Sequence, residues 1–130
     1  MAAGRGQGGA LTPIDSQVRL RSKVWFERDG RVVLSDWRVA LLEAVDQTGS
    51  LAAAAERLRV PYRTAWARLR ETEETLGFRL LDTRIGGPDG GASALTPAAR
   101  EAVRRFRRVT SGVAEQLADR FAAELPDGRF

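Results

Sequence analysis

Tyr62, Arg63, Thr64, Ala67 and Arg68 fall within one stretch of seven residues. Their spacing puts them on the outward side of a helix whose inward side carries Ala65, Leu69, Thr72 and Leu76. The outward types suit a surface that reads bases and phosphates. A guanidinium forks onto guanine, hydroxyls bond phosphate or base edges, and methyl or ring surface meets thymine. Trp66 stands at the border of the two faces. The same residues also fit a helical hairpin in an ordinary core, with arginines that are merely solvated.

Catalytic constellations are missing. The chain has no Cys and no His, so it lacks thiolate nucleophiles, imidazole bases and the usual zinc ligands. Glu71, Glu73 and Glu74 on one helix read as solvated charge. The expectation is a protein that is not an enzyme and needs no metal or cofactor.

Positioning the outward face requires particular elements. Ser50 is placed to cap a helix carrying Leu51, Ala54, Ala55 and Leu58 on one face, and the small residues 52–55 admit a close backbone. Val60-Pro61 breaks that helix, and a second runs over about 61–76 until Gly77 stops it. Two short helices joined by a tight turn are the pattern of a helix-turn-helix, whose second helix lies in the DNA major groove.

A support helix is expected ahead of this pair. Ser35 caps it, Asp36–Thr48 forms it, Trp37, Leu41, Ala44, Val45 and Thr48 make its apolar stripe, and Gly49 ends it in a left-handed cap. Val18–Leu34 reads as a β-hairpin turning at Arg28-Asp29-Gly30. Val24 and Phe26 share one of its faces, Lys23, Trp25 and Glu27 the other, and Trp25 is expected to pack.

Beyond Gly77 a hairpin wing is expected over about 79–96, with Leu80 or Leu81 inward and Arg84 at its base. At its glycine-rich tip, Gly86 and Gly87 allow close approach to a phosphate backbone. Asp89 argues that tip contacts are few, and a plain flexible loop remains the alternative. Thr96-Pro97 then opens a helix expected to reach about Glu124. Its stripe of Ala99, Val103, Phe106, Val109, Val113, Leu117 and Phe121 suggests pairing with a second copy. Arg100, Arg104, Arg105, Arg107 and Arg108 either flank DNA or are solvated.

The run LLEAVDQTGSLAAAAERLRVPYRTAWARLRETEETLGFRLLDTRIGGPDGGASALTPAAR resembles the N-terminal DNA-binding domain of ModE-type molybdate-responsive regulators, relatives of the LysR-type regulators. The matching marks are Gly49-Ser50, Tyr62, Ala65-Trp66, Leu80-Leu81, Gly86-Gly87, Gly90-Gly91 and Leu95-Thr96. KVWFERDGRVVLS resembles that family's opening hairpin. The resemblance covers about Arg19 to Arg108. It implies a winged helix-turn-helix domain that binds DNA. Pro61 stands where the family usually has Ser, which implies a different cap for the second helix, and the family's glycine near Ala99 is replaced. The family's molybdate-binding modules have no counterpart up to Phe130, so no oxyanion sensing is expected of this chain.

Charge agrees with the reading. The chain carries a net +4, while residues 50–108 alone hold 12 Arg against 7 acids. The positive excess thus sits where phosphate neutralisation requires it. All but one of the 21 basic residues are Arg, which reads as the coding bias of a GC-rich bacterium. No apolar run reaches membrane-spanning length, and the N-terminus lacks an apolar signal core. A cytoplasmic, nucleoid-associated protein is therefore expected.

Together these readings define a mainly α protein with small β elements. Residues 1–17 form a disordered arm, 18–96 a winged helix-turn-helix with an N-terminal hairpin, 97–125 a long dimerisation helix, and 126–130 a frayed tail. The function expected is a homodimeric transcriptional regulator on a palindromic operator in double-stranded DNA, with no effector indicated. Ser50, Tyr62, Arg63, Thr64, Trp66, Ala67, Arg68, Arg84, Gly86 and Gly87 would meet the DNA. Val103, Phe106, Val109, Val113, Leu117 and Phe121 would pair the copies. The alternative is a protein-interaction module in which Tyr62 and Trp66 are interface anchors.

Overall fold

The computed structural model describes residue 11 and residues 16–84 and 91–130. The arm expected over 1–17 falls almost wholly outside the described residues. The chain divides into two units, residues 22–113, and residues 1–21 together with 114–130.

The larger unit opens with β1 (Trp25–Arg28) and β2 (Arg31–Ser35), an antiparallel hairpin. The strands begin later than the sequence pattern suggests. Asp29 and Gly30 both take positive φ, 52° and 76°, the geometry a tight two-residue hairpin turn demands. A bulge between Phe26 and Glu27 shifts the register. Phe26, Val33 and Leu34 turn toward the core. Trp25 does not: it is 45% exposed, and its indole Nε1 donates to Glu27 Oε2 at 2.6 Å. Strand alternation puts Phe26 inward, so its neighbour Trp25 must face solvent.

Helix α1 (Asp36–Thr48) begins where the Ser35 hydroxyl accepts from the Arg38 amide and ends at Gly49, φ 84°. Val39, Leu41, Leu42, Ala44 and Val45 are all buried, a broader apolar face than the expected stripe. Only Gly holds such a left-handed cap without strain. Helix α2 (Leu51–Arg57) is capped by Ser50 through the Ala53 amide, and α3 (Tyr62–Leu76) ends at Gly77, φ 88°. Between them Arg59 takes φ 58°, which makes the turn tight. Pro61 caps α3 without a side-chain hydrogen bond.

The wing follows as β3 (Leu81–Arg84) and β4 (Ala92–Leu95), paired antiparallel with Leu81 opposite Leu95. Leu80 and Leu81 are both buried. The wing is pinned at its base, since the Ser93 amide donates to the Gly49 carbonyl at 2.8 Å and the Thr96 amide to the Leu80 carbonyl at 2.9 Å. The tip, including Gly86 and Gly87, lies outside the described residues.

Helix α4 (Pro97–Thr110) starts at a Thr96 cap with Pro97 in its first turn. The run expected to be one helix from Pro97 to about Glu124 is helical almost throughout, but as two helices. Ser111 leaves helical geometry at ψ 131°, Gly112 takes φ 79°, and α5 (Val113–Glu124) begins after them. Thr110, Ser111 and Gly112 are consecutive poor helix formers. Their cost is small enough that the apolar period runs through it unmarked.

A further correction concerns Phe106. It is fully buried and packs against Phe26 with ring centroids 4.9 Å apart. Phe106 therefore belongs to the core of its own domain and is not free to pair copies. Val109, one turn on, is 60% exposed.

In the smaller unit, α5 buries no residue fully. In the tail, Val18 N–H donates to the Gly128 carbonyl at 2.8 Å and Gln17 Nε2 donates to the Asp127 carbonyl at 3.2 Å, while Phe130 is fully exposed. Among the described residues no helix is long and apolar enough to cross a membrane.

Candidate nucleic-acid interface

Helix α3 divides into two faces as its sequence demands. Ala65, Leu69, Thr72 and Thr75 are buried. Leu76 is only partly covered and packs on the core edge. Tyr62, Arg63, Trp66, Ala67 and Arg68 are exposed, and Thr64 is half-buried. Tyr62 and Trp66 expose 54% and 49% of their surface. Five of the six α3 residues expected at DNA therefore share an open face. Arg63 has no hydrogen bond or ion pair among the described residues.

Three polar ties fix this helix from behind. Arg38, on α1, donates to Thr72 Oγ1 at 2.6 Å and to Glu71 Oε1 at 3.2 Å. Arg28, on β1, donates to the carbonyls of Thr75 and Leu76 at 2.9 and 3.2 Å. Those carbonyls lie in the last turn of α3, which lacks basic residues of its own, so a guanidinium there satisfies orphan acceptors and complements the helix dipole. Glu73 accepts from the Leu80 amide at 2.8 Å, which joins α3 to the start of the wing.

Glu71 is the carboxylate that pairs with Arg68. Its Oε2 takes Arg68 at 3.4 Å while Oε1 takes Arg38. The hydrogen bond from Arg38 holds the Glu71 carboxyl below the usual carboxylate range.

A polar groove runs between α3 and the wing. Tyr62, Trp66, Arg70, Arg79, Thr83 and Ser93 line it. Arg70 lies over the Trp66 ring at 5.5 Å, holding the indole by a cation–π contact, and reaches Glu73 at 3.5 Å. Arg70 and Arg79 are candidates that the sequence reading missed. The i, i+4 spacing of Trp66 and Arg70 was the available signal for the first.

The remaining expected residues sit as follows. The Ser50 hydroxyl oxygen caps α2, which leaves its proton for another acceptor. Arg84 ends β3 opposite Ala92. Most of the arginine cluster on α4 is engaged within the protein. Arg100 meets Asp46 at 2.7 Å, Arg104 and Arg105 share Glu101, and Arg107 bonds Asp36 and Glu43, each at 2.7 Å. Its two carboxylates raise the already high pKa of Arg107 further. Among the described residues, no group of acidic side chains could hold a metal ion.

The geometry agrees with known proteins. Residues 38–100 match the model of bacterial regulatory helix-turn-helix proteins of the lysR family. The chain is 34% identical over 94 residues to the molybdenum-pterin-binding protein MopB of Rhodobacter capsulatus, an alignment covering 72% of this chain and 34% of MopB. It is 39% identical over 59 residues to the transcriptional regulator ModE of Haemophilus influenzae, covering 45% of this chain and 23% of that one. The chain thus spans about a third or less of the length of these relatives. Among solved structures, the CbnR DNA-binding domain in complex with DNA superposes with a TM-score of 0.52 at 28% identity, covering 68% of this chain and 94% of that one. Residues 38–100 are accordingly a helix-turn-helix domain of the lysR regulatory type, in a chain homologous to ModE and MopB over about the first 70% of its length.

Proposed function

We propose that this protein is a sequence-specific DNA-binding transcriptional regulator. The observation that carries the reading is the open face of α3. Arg63 stands there unengaged among the described residues, between exposed Tyr62 and Arg68, on a helix anchored from behind by Arg38, Arg28 and Glu73. A rigid helix offering two guanidiniums and two aromatic rings is suited to the major groove. The solved DNA complex of the CbnR domain supports the same reading.

In this reading Tyr62, Arg63, Thr64, Ala67 and Arg68 enter the groove, and Trp66 touches DNA at its edge. Ser50 holds a phosphate. Two copies act together on a palindromic operator. The residues proposed to pair them are Val103, Val109, Val113, Leu117 and Phe121, of which Val109 is exposed and the others are half-buried. Phe106 takes no part.

The test is Arg63→Ala with Arg68→Ala, assayed on DNA that the wild-type protein selects. We expect operator affinity to fall at least about tenfold with the helical circular dichroism unchanged. Unchanged affinity would remove α3 from the groove. The exposed Tyr62 and Trp66 also suit a protein partner. That reading predicts binding with little salt dependence, where phosphate contacts predict a steep one.

A further inference from the structure

We propose that Arg38 is a positioning residue for DNA binding: it holds the Glu71 carboxylate from inside the domain and so keeps the Arg68 guanidinium available to DNA. The inference rests on the reading of α3 as the DNA-facing helix.

A carboxylate on such a face is a competitor. It neutralises a neighbouring arginine and repels phosphate. Glu71 stands one turn beyond Arg68, 3.4 Å from it, and both side chains are well exposed, 38% and 50%. The side chain of Arg38 is only 11% exposed and reaches Glu71 from α1 at 3.2 Å. It is fixed there by Thr72, whose hydroxyl accepts from Arg38 at 2.6 Å and donates to the Arg68 carbonyl at 2.7 Å. The same guanidinium nitrogen points at the Arg68 carbonyl at 3.5 Å.

The two arginines use different oxygens of Glu71. When Arg68 swings to DNA, Glu71 keeps its shielded partner and loses only an exposed, long pair of the weak kind. Without Arg38, the only cation bonded to Glu71 among the described residues is Arg68. Glu71 would then hold Arg68 back, and DNA would have to compete for it. Arg38 therefore controls Arg68 without touching DNA.

The experiment uses a duplex that the wild-type protein enriches from a random-sequence pool. Arg38→Gln, Glu71→Gln and the double variant are titrated against it, with thermal unfolding measured in parallel. We expect Arg38→Gln to bind about three- to fivefold more weakly, Glu71→Gln to bind at least as tightly as wild type, and the double variant to return to the Glu71→Gln level. Rescue by the second change is what a merely structural role would not produce. Wild-type affinity in Arg38→Gln, or a double variant as weak as Arg38→Gln, would overturn the inference. If Arg38→Gln does not fold, Glu71→Gln decides: weaker binding than wild type overturns it, and equal or tighter binding supports it. A wild-type protein that enriches no duplex would refute the DNA reading itself, and this inference with it.

Discussion

Phe106 joins α4 to the hairpin by a ring contact with Phe26 at 4.9 Å and has no exposed surface. Phe106→Ala should therefore cost about 3–5 kcal/mol, measured by denaturant unfolding at a concentration where the protein is monomeric. A loss seen only in self-association would contradict its place in the core. Val109 is the contrast. It is 60% exposed, so Val109→Ala should change stability by less than about 0.5 kcal/mol while weakening dimers if the copies pair there. At the surface, Glu101 is held at about 2 by hydrogen bonds from Arg104 and then Arg105. A depressed carboxylate favours the folded state above its ordinary pKa, and that contribution fades as pH falls toward about 2. A carboxyl NMR titration should find the Glu101 midpoint near that value at low salt and higher in strong salt, because exposed pairs are screened. An ordinary midpoint at low salt would show that the pair does not persist in solution.

At the scale of elements, α3 works because other elements hold it. The hairpin contributes Arg28, whose guanidinium meets the last carbonyls of α3. Arg28→Ala should lower stability by about 1–2 kcal/mol and loosen the last turn of α3, read by amide exchange of Thr75 to Gly77. No change in either would make the hairpin a bystander. The caps at Ser35, Ser50 and Thr96 and the turns at Gly49 and Gly77 were all legible in the sequence, because each depends on residues a few positions apart. The exposed face of α3 was legible for the same reason: helical period alone separates Arg63 and Arg68 from Ala65 and Leu69. The ties that hold the helix were not. Arg28 and Thr75 are 47 positions apart, Arg38 and Glu71 33, and in a chain so rich in arginine nothing local singles out either donor. The break at Gly112 was hidden differently. A single glycine inside a continuing apolar period costs about 1 kcal/mol, which helices often absorb, so only the fold decides whether it breaks. Phe106 kept the period of its stripe, and only the position of Phe26 shows which surface claims it.

At the scale of the molecule, charge and shape agree. Residues 50–108 carry 12 Arg against 7 acids; among the described residues Arg63 on α3, together with Arg59, Arg79 and Arg108, makes no side-chain hydrogen bond or ion pair, while Arg100, Arg104, Arg105 and Arg107 on α4 are held by Asp46, Glu101, Asp36 and Glu43. DNA affinity should therefore depend on the arginines of α3 and its groove more than on those of α4. Arg63→Ala should flatten the salt dependence by about one unit of slope if Arg63 meets a phosphate, and relax sequence preference if it meets a base. The measurement that bears most directly on the central claim is selection of DNA fragments by the purified protein, read by sequencing at two salt concentrations. The account predicts an enriched palindromic sequence, bound more weakly at the higher salt. Salt-sensitive binding with no enriched sequence would contradict sequence-specific regulation, and no binding at either salt would contradict DNA binding by this chain altogether.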